Sequence, residues 1–272
     1  MTEVSSGSVG TPKWQTLPDT PRLPTGGQEG VVEIAGAKIW YKVYGSGPPV
    51  ILLHGGLGNS DYWGLQVAAL AATCQVIVMD SRGHGRSSRG GGTMSYVLMK
   101  NDVMALIDHC NLPKAAIVGW SDGAIIGLLL AMQHPDRISG VFCFGANSGP
   151  NGTFDLTNNA MFNRYIKRTE EEYARLSPTP DGFGEFLGEM NTMWITQPDF
   201  TVADLKGIQV PVWVVDGDHE EVIRREDTLF IADTIPNSGL SIQPEVSHFS
   251  VLQDPDQFTA DIRRFLRAKG IV

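Results

Sequence analysis

The chain has 272 residues, 42% of them apolar, and a formal charge of −9. That length and apolar share describe one large α/β domain or two small ones with a continuous core, and exclude a disordered chain. The acidity, without any basic run, excludes a nucleic acid or an anionic membrane surface as an expected partner.

Other whole classes fall away with equal economy. Three cysteines, Cys74, Cys110 and Cys143, lie in or beside apolar runs without C-x-x-C spacing, which predicts reduced thiols and neither disulfides nor zinc. Residues 1–30 carry no apolar core of a signal peptide, and no apolar stretch is long enough to span a bilayer. The expectation is a cytoplasmic protein that binds no membrane.

Residues 1–29 are rich in Pro, Gly, Ser and Thr and read as an arm in which Trp14 and Leu17 are able to pack. Residues 31–34 and 38–43 bracket Ala35-Gly36-Ala37 as a hairpin. Residues 50–53 form a short, wholly apolar run, as in a strand covered on both faces. The glycine loop His54-Gly55-Gly56-Leu57-Gly58 follows, with Asn59 or Ser60 capping the next helix. A strand at 76–79 leads into Asp80-Ser81-Arg82-Gly83-His84-Gly85-Arg86-Ser87, where Asp80 and Arg82 are expected to pair locally and His84 to be a structural or exposed turn residue. Residues 95–110 have helical spacing, with Val97, Leu98, Val103, Met104, Leu106 and Ile107 on the inner face.

Gly119-Trp120-Ser121-Asp122-Gly123 joins an apolar strand run, 115–118, to an apolar helical run, 124–132. Strand, G-x-S-x-G, helix is the context of a nucleophile elbow, in which small flanking residues allow a tight turn that presents the serine. His134 then reads as a helix-end residue interacting with the helix dipole. A strand at 138–144 runs into Gly145-Ala146-Asn147. Residues 148–207 have helical stretches and no strand, and read as a cap inserted in an α/β core of residues 30–147 and 208–272. A strand at 210–215 ends in Asp216-Gly217-Asp218-His219-Glu220-Glu221. A last strand at 240–242 precedes Ser247-His248-Phe249, and Asp254-Pro255 opens a closing helix.

Alternating strands and helices predict a mostly parallel sheet with helices on both faces, whose active edge lies at the carboxyl ends of the strands. The loops carrying His54, Ser121, residues 216–221 and His248 all leave from that edge. Ser121 needs a base, since a free hydroxyl is a poor nucleophile at neutral pH, and His248 is the candidate. The imidazole in turn needs a carboxylate. Asp216, Asp218 and Glu220 compete for that role; Glu220 has the reach and lies three residues past Gly217. The backbone N–H groups of Gly56 and Asp122 are the expected oxyanion hole. Asp122, Leu57, Trp120, Met190, Trp194 and Phe249 are the expected substrate contacts. No histidine has partners at metal-ligand spacing, so neither metal nor cofactor is expected.

On His54-Gly55-Gly56, residues 80–87, the elbow, Gly217 with Glu220, and Ser247-His248-Phe249, the chain resembles the α/β-hydrolase superfamily from about residue 31 to the end. The resemblance implies a serine hydrolase and an acid three residues after the glycine, usually Asp, which favours Glu220 while the Glu keeps Asp218 open. The elbow and Phe144-Gly145-Ala146-Asn147 are similar to the valacyclovir hydrolase branch, which implies that Asp122 receives a substrate amino group. Ser121 in place of an elbow Asp argues against dehalogenases and epoxide hydrolases. The expected activity is cleavage of small carboxylic esters, aryl and α-amino-acid esters included, through an acyl-enzyme. Cofactor-free haloperoxidases or perhydrolases, carbon–carbon bond hydrolases and a slow-turnover ligand receptor share the same residues and stand as alternatives.

Overall fold

Strands rich in Val, Ile and Leu on both faces can be stable only inside a sheet covered by helices. In the computed structural model, which describes residues 10–272, they occupy the middle of one eight-stranded sheet. The strands are β1 (Gln28–Ile34), β2 (Ala37–Tyr44), β3 (Pro49–Leu53), β4 (Gln75–Met79), β5 (Ala115–Trp120), β6 (Ile138–Phe144), β7 (Val212–Gly217) and β8 (Ser238–Gln243). Their order is β1-β2-β4-β3-β5-β6-β7-β8. β1 and β2, and β2 and β4, pair antiparallel; every other pair is parallel. Val50 to Leu53 of β3 are fully buried, whereas Leu240 and Ile242 of the edge strand β8 are partly exposed.

The helices are α1 (Gly64–Ala71), α2 (Tyr96–His109), α3 (Asp122–Gln133), α4 (Ala160–Leu176), α5 (Phe183–Trp194), α6 (Val202–Gly207), α7 (Arg225–Thr234), α8 (Ser250–Gln253) and α9 (Pro255–Ala268). α3 is apolar all round because it lies beneath other helices as well as on the sheet, with Asp122 to Ala131 buried. α4, α5 and α6 fill the stretch between β6 and β7. None of the helices is long and apolar enough to cross a membrane, and no cluster of potential metal ligands occurs among the described residues.

Several local readings change. Asp80 does not pair with Arg82. It accepts from the Ser60 N–H at 2.7 Å and from Arg86, while Arg82 forms a two-pronged bond to Asp102 at 2.9 and 2.5 Å. The residue nearest in sequence is not the partner in space, because each side chain is taken up by a different neighbour. His84 is buried, its Nδ1 donating to the Arg82 carbonyl, and burial pushes its pKa down to about 3. Val97 is 47% exposed, so the buried face of α2 begins instead with Tyr96 and Met99. His134 ends α3, but its Nε2 lies 3.3 Å from Lys100 Nζ, and burial and that ammonium push its pKa down. Both influences act against the charged ring that an interaction with the helix dipole would need.

Arg82 and Asp102 are both 1% exposed, so removal of one leaves the other as an uncompensated buried charge. Asp102→Ala is expected to lower stability by about 3–5 kcal/mol, measured by urea denaturation; a loss below about 1 kcal/mol would mean that the pair behaves as a surface ion pair.

Candidate active site

Ser121 stands between β5 and α3 at φ 55° and ψ −119°, in the left-handed region that side chains other than glycine rarely adopt. The surroundings hold it there. Its N–H donates to the Phe144 carbonyl at 2.8 Å, and its carbonyl accepts from Ala124 and Ile125. The flanking glycines are there for close approach: a Cβ on Gly119 would lie 2.4 Å from the Gly123 backbone, and one on Gly123 would lie 2.1 Å from the Leu53 carbonyl oxygen. The helix start is therefore pressed directly onto β3.

His248 lies in the loop between β8 and α8 and is 3% exposed. Its Nδ1 is 3.0 Å from Glu220 Oε2. Glu220 is fixed by its second oxygen, which accepts from the Val222 and Ile223 N–H groups at 2.7 and 3.0 Å. Asp218 turns outward: it accepts from the Val246 N–H at 3.3 Å, and its side chain is 38% exposed. Asp216 is fully buried, accepting from the Gly217 N–H and the Thr228 hydroxyl. Of the three competing acids, then, Glu220 is the one bonded to the ring. The Glu221 carboxylate takes the His248 backbone N–H at 3.1 Å, a contact with no signal in the sequence beyond adjacency. The ring packs beside Gly145, where a Cβ would lie 2.9 Å from His248 Cε1. Burial lowers the His248 pKa and raises that of Glu220, and the negative charge of Glu221 acts against the first of these shifts.

Ser121 and His248 face one cavity of about 90 Å³. Gly55, Gly56, Trp120, Asp122, Val222 and Ile223 of the core line it, and Thr153, Leu156, Phe162, Tyr165, Trp194 and Gln197 of the stretch between β6 and β7 close it. Trp120 and Trp194 thus lie where substrate contacts were expected. Leu57, Met190 and Phe249 do not line it. Leu57 and Met190 are sealed in the core, and Phe249 supports from behind, against Trp120 and Tyr165. An apolar residue near a cleft has two faces to choose from, and composition alone does not reveal which one it takes. Tyr96, Gln197 and Ile223 carry no motif and were not anticipated.

Asp122 is 6% exposed. One of its oxygens accepts from the Tyr96 hydroxyl at 2.8 Å, and the Trp194 indole N–H reaches both, at 3.1 and 3.0 Å. All three bonds come from neutral donors, and no ion pair to it occurs among the described residues. Burial pushes its carboxyl up to about 6. The backbone N–H groups of Asp122 and Gly56 have no acceptor among the described residues, and the Gly56 carbonyl is held by the Tyr165 hydroxyl at 2.7 Å.

The family model of the alpha/beta hydrolase fold matches residues 48–185. The chain belongs to this family. It is 26% identical over 271 residues to a non-heme haloperoxidase of Rhodococcus erythropolis, covering 86% of this chain and 97% of the relative. It is 25% identical to a pimeloyl-acyl-carrier-protein methyl ester esterase of Nitrosospira multiformis, covering 84% and 98%. Some relatives match only a shorter stretch, one at 37% identity over 102 residues, which is 38% of either chain. Among solved structures, Est816, titled an N-acyl homoserine lactone degrading enzyme, superposes with a TM-score of 0.69 at 28% identity, covering 87% of this chain and all of the other.

If Glu220 is what holds the imidazole, a downfield proton NMR signal of the His248 Nδ1–H is expected in the wild type. Asp218→Asn should retain it and Glu220→Gln should lose or shift it, because only Glu220 is bonded to that nitrogen. Loss in the Asp218 variant alone would reassign the acid.

Proposed function

We propose that the protein is a serine hydrolase that cleaves small carboxylic esters through an acyl-enzyme. The observation that carries this reading is a strained Ser121 and a Glu220-bonded His248 facing the same cavity. Ser121 Oγ attacks the ester carbonyl as His248 Nε2 takes its proton. Glu220 steadies the imidazolium through Nδ1–H. The oxyanion forms against the free N–H groups of Gly56 and Asp122, the latter at the start of α3, where the helix dipole favours negative charge. His248 returns the proton to the leaving alcohol, then activates the water that hydrolyses the acyl-enzyme. None of these steps needs a metal or cofactor. In this reading residues 148–207 act as a cap. The cavity of about 90 Å³ is smaller than the roughly 150 Å³ that accommodates benzene, so a short acyl group is the expected fit.

Ser121→Ala is expected to abolish ester turnover, by a factor on the order of 10⁴–10⁶, and a fluorophosphonate should label the wild type at Ser121. Full turnover of a p-nitrophenyl ester by the variant would end the proposal.

A narrower substrate class is favoured by one observation: a buried carboxylate beside the nucleophile with neutral donors only. A protonated amine on the α-carbon of the acyl group would supply the missing charge. A charge-assisted bond of about 1.5–3 kcal/mol corresponds to roughly ten- to a hundredfold in kcat/KM. An α-amino-acid ester should therefore be preferred over its desamino counterpart, and the preference should grow as pH rises through about 6, where Asp122 ionises, until the amine itself deprotonates. Asp122→Asn should erase the preference and spare the desamino ester. Equal rates for the two esters on the wild type would return Asp122 to a purely local role.

A further inference from the structure

The N-terminal arm touches the loop that carries the proposed acid and reaches the loop that carries the proposed base through Gln253 of α8. Trp14 stacks on His219, two residues after Gly217 and next to Glu220, with ring centroids 3.8 Å apart and planes 6° from parallel. The Thr16 carbonyl accepts from Gln253 Nε2 at 2.9 Å. That same amide nitrogen bonds to Ser247 Oγ, and its oxygen accepts the Ser247 N–H at 2.7 Å, one residue before His248. The two loops also meet each other, through the His219 N–H on the Val246 carbonyl at 3.0 Å.

The arm is anchored on both sides of these contacts. Lys13 pairs with Asp254 at 2.6 Å, and Leu17 is buried. Arg168 of α4 donates to the Leu17 and Pro18 carbonyls. A segment tied at each end, with Lys13–Gln15 wound into one 3-10 turn, stacked on one loop and bonded through an amide to the other, restricts the motion of each relative to the other.

We propose that the arm is a positioning element of the active site, with Trp14 and the Thr16 carbonyl holding the acid loop and the histidine loop in register through His219 and Gln253. This rests on the assignment of Glu220 and His248 in the preceding subsection. Small displacements of catalytic groups are expensive, an error of about 1 Å costing up to a hundredfold in rate. The arm acts on the proton-transfer geometry and does not line the cavity, so its loss should fall on kcat and leave KM largely alone.

The test is a double-mutant cycle of Trp14→Ala and His219→Ala, with Trp14→Phe as the conservative variant. Each alanine variant should lower kcat for a p-nitrophenyl ester roughly tenfold or more, with KM near wild type. The double variant should be no worse than either single, and Trp14→Phe should recover most of the rate. Fluorophosphonate labelling should proceed more slowly in the alanine variants yet reach full stoichiometry. Wild-type kcat in Trp14→Ala, additive losses in the cycle, or labelling that stops short of full stoichiometry in proportion to the lost rate would each overturn the proposal. Absence of labelling in the wild type would instead refute the serine-hydrolase reading on which it rests.

Discussion

Ser121 holds a backbone conformation that costs on the order of 1–3 kcal/mol, and the middle of the molecule is arranged so that no relaxed alternative is open to it. The Phe144 carbonyl holds its N–H from one side, and α3 is pressed onto β3 from the other, at a distance only glycine permits at positions 119 and 123. The strain is therefore carried by buried β-sheet packing and not by the cavity. A rigid, proud hydroxyl follows, as does an Asp122 N–H at the helix start without an acceptor among the described residues. Both features that the proposed chemistry needs are consequences of the one constrained turn.

Electrostatics around His248 work in two directions. Burial favours the neutral ring and lowers its pKa, while the charges of Glu221, Asp216 and Asp122 favour the protonated ring. Arg225, 3.5 Å from Asp216, offsets part of that negative charge. In the proposed reaction the imidazole must be neutral at rest and charged only while the serine proton is in transit. A desolvated ring facing fixed carboxylates meets both requirements, because those carboxylates need no reorganisation when the charge appears.

The sheet and the core of the candidate site were legible in the sequence because both are written in local pattern. Apolar runs at 50–53, 76–79 and 115–118 have no partner but a covered sheet, and G-x-S-x-G between a strand and a helix has few other uses. Glu220 was legible as the favoured one of three acids, from its place three residues past Gly217, while Asp218 stayed open because the choice depends on where Val222 and Ile223 aim their N–H groups. What pattern cannot carry is contact at long range. Trp14 on His219 and Tyr165 on Gly56 join residues far apart in the chain with no shared periodicity. The pairing of Arg82 with Asp102 in place of Asp80 is the same failure at shorter range.

The covering of the cavity and the shape of the proposed oxyanion site are not independent. Trp194 of α5 closes the cavity and donates to both oxygens of Asp122; Tyr165 of α4 lines it and holds the Gly56 carbonyl. The two backbone donors proposed for the oxyanion thus belong to residues whose other groups are gripped by the helices between β6 and β7. A change in how those helices sit would alter the room for substrate and the aim of the donors together. In such an arrangement, a substrate that fits poorly is also one whose transition state is poorly stabilised, and selectivity enters through kcat as well as through KM.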